Sequence, residues 1–530
     1  MKTSALHPCI NFSMMKTMEQ LVAENEELKA KARSDAHLIE LQKREIDHLA
    51  DLVTFFRATR YAAKSEAGHS GQRELFNEAE HSAAPDGEEV EFEVGGQESK
   101  EKTTKKRPKR KPIPAIFKRV DRILDLPEEQ KFCAHLGTSL RKVGEEISEK
   151  IDIVPASIQV IRTIRPKYAC SCGFDDCKFH IAPVEPQAIP KGNASAGFLA
   201  YIATAKYSDH CPLNRQEEIL QRAGIDLPRS TLASWMIKCG NLVTPLINLL
   251  RDKILESPLV FCDETHVQVL KGTQKKATSK SFMWVQAKWG GIGDRYVLYN
   301  FDPTRKASVA ARLFDGYQGY VHADGYEGYS HLDNIPGITL VGDWVHVRRK
   351  FKDVIKASKV SEKAQLAQKG LDYIAALYKV ESEIESLDNS DKLRIRSEKT
   401  RPIVSAMKLW ADEQIGKTPP KSLIFKALNY FINQWPKLCY FIDDPIVGPD
   451  TNVVENAIRP FALGRRNWMF SDTVRGAEAS ANLFSLVITA KSNDIDPYEY
   501  LKFVFTELPK AKTVEDIERL LPERFPKTTG

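Results

Sequence analysis

Leu259-Val-Phe-Cys-Asp-Glu-Thr-His-Val-Gln-Val-Leu270 is rich in β-branched and aromatic residues and is closed by Lys-Gly-Thr-Gln turn material, so it reads as a strand. Ser281-Phe-Met-Trp-Val-Gln-Ala-Lys288 and Arg295-Tyr-Val-Leu-Tyr-Asn-Phe301 read as two more. Their short links predict an antiparallel meander. A helix near Arg305 to Phe314 leads to a fourth strand, Gly319-Tyr-Val-His-Ala-Asp324, and a shorter helix leads to a fifth, Ile338-Thr-Leu-Val-Gly-Asp343.

The order βββαβαβ describes a mixed sheet with helices against its faces, the ribonuclease H-like arrangement. In that arrangement the first and fourth strands are neighbours, so Asp263 and Asp324 come to lie side by side at one end of the sheet. Two adjacent carboxylates repel unless cations neutralise them. Mg2+ or Mn2+, with oxygen ligands and retained water, answers that need. A third acid from a following helix would complete the site, and the candidate is Glu455 in Asp450-Thr-Asn-Val-Val-Glu-Asn-Ala-Ile-Arg459. That helix is expected to be entered through a cap at Asp450 or Asn452. At helical spacing Asn452, Glu455 and Arg459 share one face and Val454, Ile458 and Phe461 another, which displays the acid. Taken alone, the segment is better read as an exposed helix with a Glu455–Arg459 ion pair, and only converging carboxylates from elsewhere turn that reading.

The 530 residues are too many for one core and suggest three or four domains. With 42% hydrophobic and 28% charged residues the chain reads as a soluble protein, and a net charge of +6 leaves polyanion binding to local clusters. No apolar run of about eighteen residues and no compact apolar N-terminal region with a small-residue cleavage site is present. A cytoplasmic, nucleoid-associated protein without a membrane partner is the expectation. Nine cysteines, five of them scattered (Cys9, Cys211, Cys239, Cys262, Cys439), do not form a disulfide framework.

From Met14 through Leu21, Leu28, Ile39, Ile46, Leu49, Val53 and Phe56 the apolar positions step by four and three, interrupted by Asn25, Asp35 and Gln42. This predicts a coiled coil, a dimer in the first instance, although one amphipathic helix packed on its own domain has the same pattern. Residues 61–118 turn acidic and Gly-rich and then basic, and read as a disordered linker ending in an arm of Lys105, Lys106, Arg107, Lys109, Arg110 and Lys111. Its cations are either simply solvated or meet DNA phosphates. Cys133, His135, Cys170, Cys172 and Cys177 supply soft and imidazole ligands at irregular spacing for a structural Zn2+, with free cysteines as the alternative. Helices near Ala194 to Ala205, Pro212 to Ala223 and Ser230 to Cys239, with a Gly224-Ile-Asp-Leu-Pro-Arg229 turn, suit a helix-turn-helix or a three-helix support. Arg229, Ser234 and Lys238 would face outward and Leu232, Trp235 and Met236 inward. Residues from Ser358 to about Pro436 are charged and helical, and read as an insertion between the fifth strand and the Glu455 helix.

Several phrases together resemble the bacterial DDE transposases of the insertion-sequence-66 family. They are Lys206-Tyr-Ser-Asp-His-Cys-Pro-Leu213, Asp263-Glu-Thr, Asp324-Gly-Tyr-Glu-Gly-Tyr329, His346-Val-Arg-Arg-Lys-Phe351, Asp450 through Arg459, Gly464-Arg-Arg-Asn-Trp-Met-Phe470 and Ala490-Lys-Ser-Asn-Asp-Ile-Asp-Pro-Tyr498. The likeness runs from the predicted coiled coil to the C-terminus. It implies that Asp263, Asp324 and Glu455 are catalytic acids holding two metals about 4 Å apart, for cleavage of a phosphodiester and transfer of the freed 3′-hydroxyl to target DNA. His346, Arg348, Arg349, Arg459, Arg465 and Arg466 would contact phosphate, where a solvated helix surface would carry the same charges. The resemblance also implies DNA ends, target DNA and accessory proteins of the same element as partners. The chain departs from the family pattern at Leu136, where a second cysteine is usual, and at Asn456, where arginine is common. At Asp343, where cysteine is frequent, a fourth acid either binds metal or caps a helix.

The resulting multidomain α+β layout is a coiled-coil helix at 14–60, linker and basic arm at 61–118, zinc-finger-like module at 119–190 and helical DNA-binding-like domain at 191–250. The ribonuclease H-like core occupies 251–350 and 448–490 around a helical insertion at 351–447, with a C-terminal helical element at 491–530. A catalytically inactive DNA-binding regulator and a structure-specific nuclease of the same fold are the competing functions.

Overall fold

The computed structural model describes residues 18–61, 158–169, 179–272, 279–357 and 362–526. They fall in two compact units, one of residues 18–61 with the described residues of 183–525, the other holding 158–169, 179–182 and 526. In the second unit β1 (Lys167–Ala169) and β2 (Phe179–Ile181) form an antiparallel ribbon with Tyr168 opposite His180. The expected zinc ligands Cys133, His135, Cys170, Cys172 and Cys177 and the basic arm Lys105–Lys111 lie outside the described residues.

The first unit opens with α1 (Met18–Tyr61), a 44-residue helix on which Leu28, Ile39, Ile46, Leu49 and Val53 are exposed. Four helices follow: α2 (Ala196–Tyr207), α3 (Leu213–Arg222), α4 (Arg229–Leu242) and α5 (Thr244–Leu255). The Ser195 hydroxyl accepts the Phe198 N–H and starts α2, whereas α4 begins at Arg229 behind Pro228 and not at a Ser230 cap.

Next come β3 (Leu259–Lys271), β4 (Lys280–Trp289), β5 (Arg295–Asp302), α6 (Ala307–Leu313), β6 (Gly319–Ala323), a 3-10 turn at Glu327–Asn334 and β7 (Ile338–Val341). The sheet order is β5-β4-β3-β6-β7, with β4 antiparallel to both β3 and β5 and the β3, β6 and β7 neighbours parallel. Strand β3 is central, so Leu259 to Cys262 are all buried without alternation.

The chain then runs through α7 (Trp344–Ala357), α8 (Glu362–Ile384), α9 (Asn389–Ile395), a π turn at Arg396–Thr400, α10 (Arg401–Ile415), α11 (Leu423–Leu438) and α12 (Tyr440–Asp443). It returns as α13 (Asn452–Trp468), β8 (Ser471–Thr473) beside the far end of β3, α14 (Val474–Ser492), α15 (Pro497–Glu507) and α16 (Val514–Glu518).

Two apolar cores result, and neither boundary falls where the sequence suggests. The larger joins Leu199, Leu232 and Trp235 of α2 and α4 to the sheet and to Phe484 and Tyr500 of α14 and α15. The helices at 191–250 are therefore one side of the sheet's own core and not a free-standing domain. The smaller core begins at Val341 and Trp344 and gathers Phe351, Trp410, Phe431 and Phe441, so α7 belongs with the inserted helices. Helix α14 also closes the outer edge of β5. Ser485 accepts the Tyr299 N–H at 2.8 Å, Thr489 accepts the Val297 N–H at 3.0 Å, and Asn493 accepts the Gly293 N–H at 2.7 Å. Residues four apart on one helix face thereby supply the partners that a further strand outside β5 would have given.

Candidate active site

The β3–β6 register runs from Leu259 opposite Tyr320 to Cys262 opposite Ala323. One residue further on the parallel pairing stops: Asp324 follows the last residue of β6, while Asp263 lies inside β3, which stays paired with β4 and runs on to Lys271. The Asp324 carboxylate accepts the Tyr326 N–H at 3.0 Å and the next N–H, of Gly325, goes to the Tyr430 hydroxyl of α11 at 3.2 Å. Asp263 accepts the Glu264 N–H at 2.7 Å. Its carboxyl is pushed up to about 8, first by burial and then by the charges of Glu264 and Asp324. An acid that resists ionisation among other acids marks a place short of positive charge.

The third acid arrives on α13. Its N-cap position is Thr451, with no side-chain cap, while Asp450 accepts the Asn452 N–H at 3.1 Å, so neither expected cap is the N-cap residue. Val454 and Phe461 are buried against the sheet, Asn452 and Arg459 are exposed, and the Glu455 side chain is 16% exposed. The cation on Glu455 is not Arg459, one turn along its own helix. It is Arg349 of α7, at 2.8 Å.

Beside this pair, Asp343 ends the loop after β7. Its side chain is fully buried, accepts the Val345 N–H at 2.9 Å and the His346 N–H at 3.3 Å, and bonds Nδ1 of His346. Burial acts to raise Asp343, but the hydrogen bond and charge of His346 together hold it below the usual carboxylate range. For His346 burial opposes the charged ring, and its bond to Asp343 and that carboxylate's charge raise it. Ligand atoms of Asp343, His346 and Glu455 lie within 4.8 Å of one another, and His346 interacts electrostatically with both Asp263 and Asp324. Carboxylate oxygens with one imidazole form a donor set that fits Mg2+ or Mn2+.

Residues 191–479 match the family model described as "Transposase IS66 family". The chain belongs to the IS66 transposase family. Residues 485–522 match its "IS66 C-terminal element", 130–173 the "zinc-finger binding domain of transposase IS66" and 48–122 the "Transposase C of IS166 homeodomain". The chain is 32% identical to the uncharacterized protein y4qI of Sinorhizobium fredii (strain NBRC 101917 / NGR234), over 97% of this chain and 96% of that one. It is also 32% identical to y4jD of the same strain, over 77% and 81% of the two chains.

Within the IS66 chain the predicted cations scatter. Arg229 and Lys238 are exposed on α4, with Leu232, Trp235 and Met236 buried behind them. Arg459 and Arg466 are exposed on α13 and Arg348 is half-buried on α7. Arg465 is engaged inside the protein: it donates to the Thr265 hydroxyl at 3.1 Å and to the His266 carbonyl, tying α13 to β3.

Four residues that the sequence reading did not single out hold the aspartates in place. Glu264 is 1% exposed and pairs with Arg305 while accepting from Tyr329. Arg305 stacks 3.6 Å from the centre of the Tyr326 ring, whose hydroxyl donates to the Arg305 carbonyl. The Asp324 turn is thus latched to the strand that carries Asp263. Alternation along β3 could have disclosed this, because an acid next to Asp263 on the opposite face must enter the core and find a cation. No membrane-length apolar helix occurs among the described residues.

Proposed function

We propose that this IS66-family chain is a DDE transposase that binds the ends of its element and cleaves and joins DNA strands with Asp263, Asp324 and Glu455, set on a ribonuclease H-like core. The observation that carries the reading is that Asp263 and Asp324 each follow the last paired residue of the adjacent parallel strands β3 and β6, with α13 packed on β3. The three acids would hold Mg2+ or Mn2+, which when bound activates water and stabilises the leaving 3′ oxygen.

The chain's own residues do the rest. The Glu264–Arg305–Tyr326 latch fixes the spacing of the two aspartates. Arg349, drawn to Glu455 in the free protein, turns to a phosphate when the acid takes up a cation. His346, Arg348, Arg459 and Arg466 line the approach of the DNA backbone, Arg229 and Lys238 offer a second contact on α4, and Lys105 to Lys111 form a basic arm. Cys133, His135, Cys170 and Cys172, inside the zinc-finger match, and Cys177 beyond it form a Zn2+ module. DNA, a second copy of the chain and accessory proteins of the element are the partners, in the cytoplasm at the nucleoid.

The test is strand-break mapping on labelled DNA flanking the gene, with Mg2+ or Mn2+. The wild-type protein nicks and joins, and Asp263→Asn binds the ends without cutting. Metal-dependent cleavage by Asp263→Asn would sink the assignment, and cleavage without joining would leave only a nuclease.

A further inference from the structure

We infer that His346, oriented by Asp343, is a nitrogen ligand to the divalent cation of the carboxylate site, and that Asp343 is its positioning residue and not a fourth metal ligand. The inference rests on the reading of Asp263, Asp324 and Glu455 as the acids that hold the cation.

Asp343 stands near enough to Glu455 to suggest direct ligation. Its acceptors are committed elsewhere. One oxygen takes the Val345 N–H at 2.9 Å, the other takes the His346 N–H at 3.3 Å and Nδ1 of the His346 ring, and the side chain has no exposure. What Asp343 does is fix the ring. With Nδ1 directed at the carboxylate, Nε2 is the nitrogen left for the site.

The guanidinium of Arg349 shows where Nε2 points. One of its nitrogens lies 3.2 Å from Nε2 of His346 and the other 2.8 Å from Oε1 of Glu455. A positive group already bridges the imidazole and the acid, with the ring nitrogen as acceptor. The Arg349 side chain is 52% exposed, so it can swing to solvent or to a phosphate when a smaller, doubly charged ion enters. A histidine ligand whose far nitrogen is held by a buried carboxylate is a recurring way to fix tautomer and ring angle. Such a mixed oxygen and nitrogen set suits Mn2+ better than Mg2+.

The test uses full-length protein with Mn2+ alone and no DNA, read by pulsed electron paramagnetic resonance. Wild-type protein is expected to show nitrogen coupling from a directly bound imidazole, and this signal should change isotope pattern in protein grown with 15N-histidine. His346→Gln should lose the coupling and keep Mn2+ with affinity weaker by about 10- to 100-fold. Asp343→Asn should retain folding and show a weakened or reoriented coupling with a loss of about tenfold. Mn2+ bound without nitrogen coupling in the wild-type protein, or coupling that survives His346→Gln, overturns the inference while the acid site stands. Mn2+ affinity unchanged by Asp263→Asn removes the acid site, and the inference with it.

Discussion

His322 sits in β6, two residues before Asp324, fully buried, with Nε2 3.0 Å from the Gly342 carbonyl and its ring stacked 5.5 Å from Phe261. Burial lowers its pKa from 6.5 to about 4, against the raising influence of Asp343 and of the Gly342 hydrogen bond. As pH falls, the unfolded imidazole takes its proton near 6.5 while the folded one does not. The neutral histidine's contribution is therefore complete above that pH and is lost progressively down to about 4. Between pH 7 and pH 5 the loss is about 2 kcal/mol. Urea unfolding of metal-free protein should show this drop, and His322→Gln, which can still donate to Gly342, should show a pH dependence smaller by that amount. Equal pH dependence in the two proteins would contradict the assignment. The place of Asp324 just past β6 and of Glu455 on α13 was legible from strand and helix patterns, whereas Asp263 lies inside β3, which runs on to Lys271, and not at its end. The partner of Glu455 was not legible. Helical spacing offers only neighbours on the same helix, and the cation that reaches it comes from α7, 106 residues away in sequence.

At the level of elements, the sheet was legible because each strand carries its own apolar pattern and turn, and the five core strands fall within a few residues of expectation. What pattern alone does not convey is how an edge is closed. Ser485 and Thr489 look like incidental hydroxyls in an apolar helix, and both are fully buried. Thr489 accepts the Val297 N–H at 3.0 Å and donates to the Val297 carbonyl at 3.1 Å, so one side chain satisfies both outward groups of that strand residue. Thr489→Val keeps the shape and removes both bonds. The buried amide and carbonyl of Val297 are then left unpaired, at about 1–3 kcal/mol. Urea unfolding should give a stability lower by that amount, seen as a lower midpoint with an unchanged m-value, and Ser485→Ala should add to it through Tyr299. A neutral Thr489→Val would mean that another group replaces the hydroxyl.

On the scale of the whole molecule, composition shifts and motif phrases divide the chain more finely than its cores do. Helices α2 to α5 read as a module because their turn chemistry is local, yet Leu199, Leu232 and Trp235 find their partners on α14, α15 and the sheet, far along the chain. Helix α1 is the opposite case. None of its residues enters either apolar core among the described residues, and Leu28, Ile39, Ile46, Leu49 and Val53 are 48–64% exposed. Helix α1 lies against α7, but these apolar side chains stay exposed, and a helix with an uncovered apolar stripe gains little beyond propensity, which is marginal in water. The spacing of these side chains matches a two-stranded seam, and Asn25, Asp35 and Gln42 within it would set register. A second copy of α1 carries the same seam and is the partner we propose for it. Light scattering coupled to gel filtration should therefore find the full-length protein as a dimer at micromolar concentration. The double variant Ile39→Lys, Ile46→Lys places like charges on both strands of the seam and should shift it to monomer. Its circular dichroism should lose helix only to the extent of α1, because no described residue of α1 belongs to either core. A wild-type monomer under these conditions, or a double variant that stays dimeric, would place self-association elsewhere on the chain.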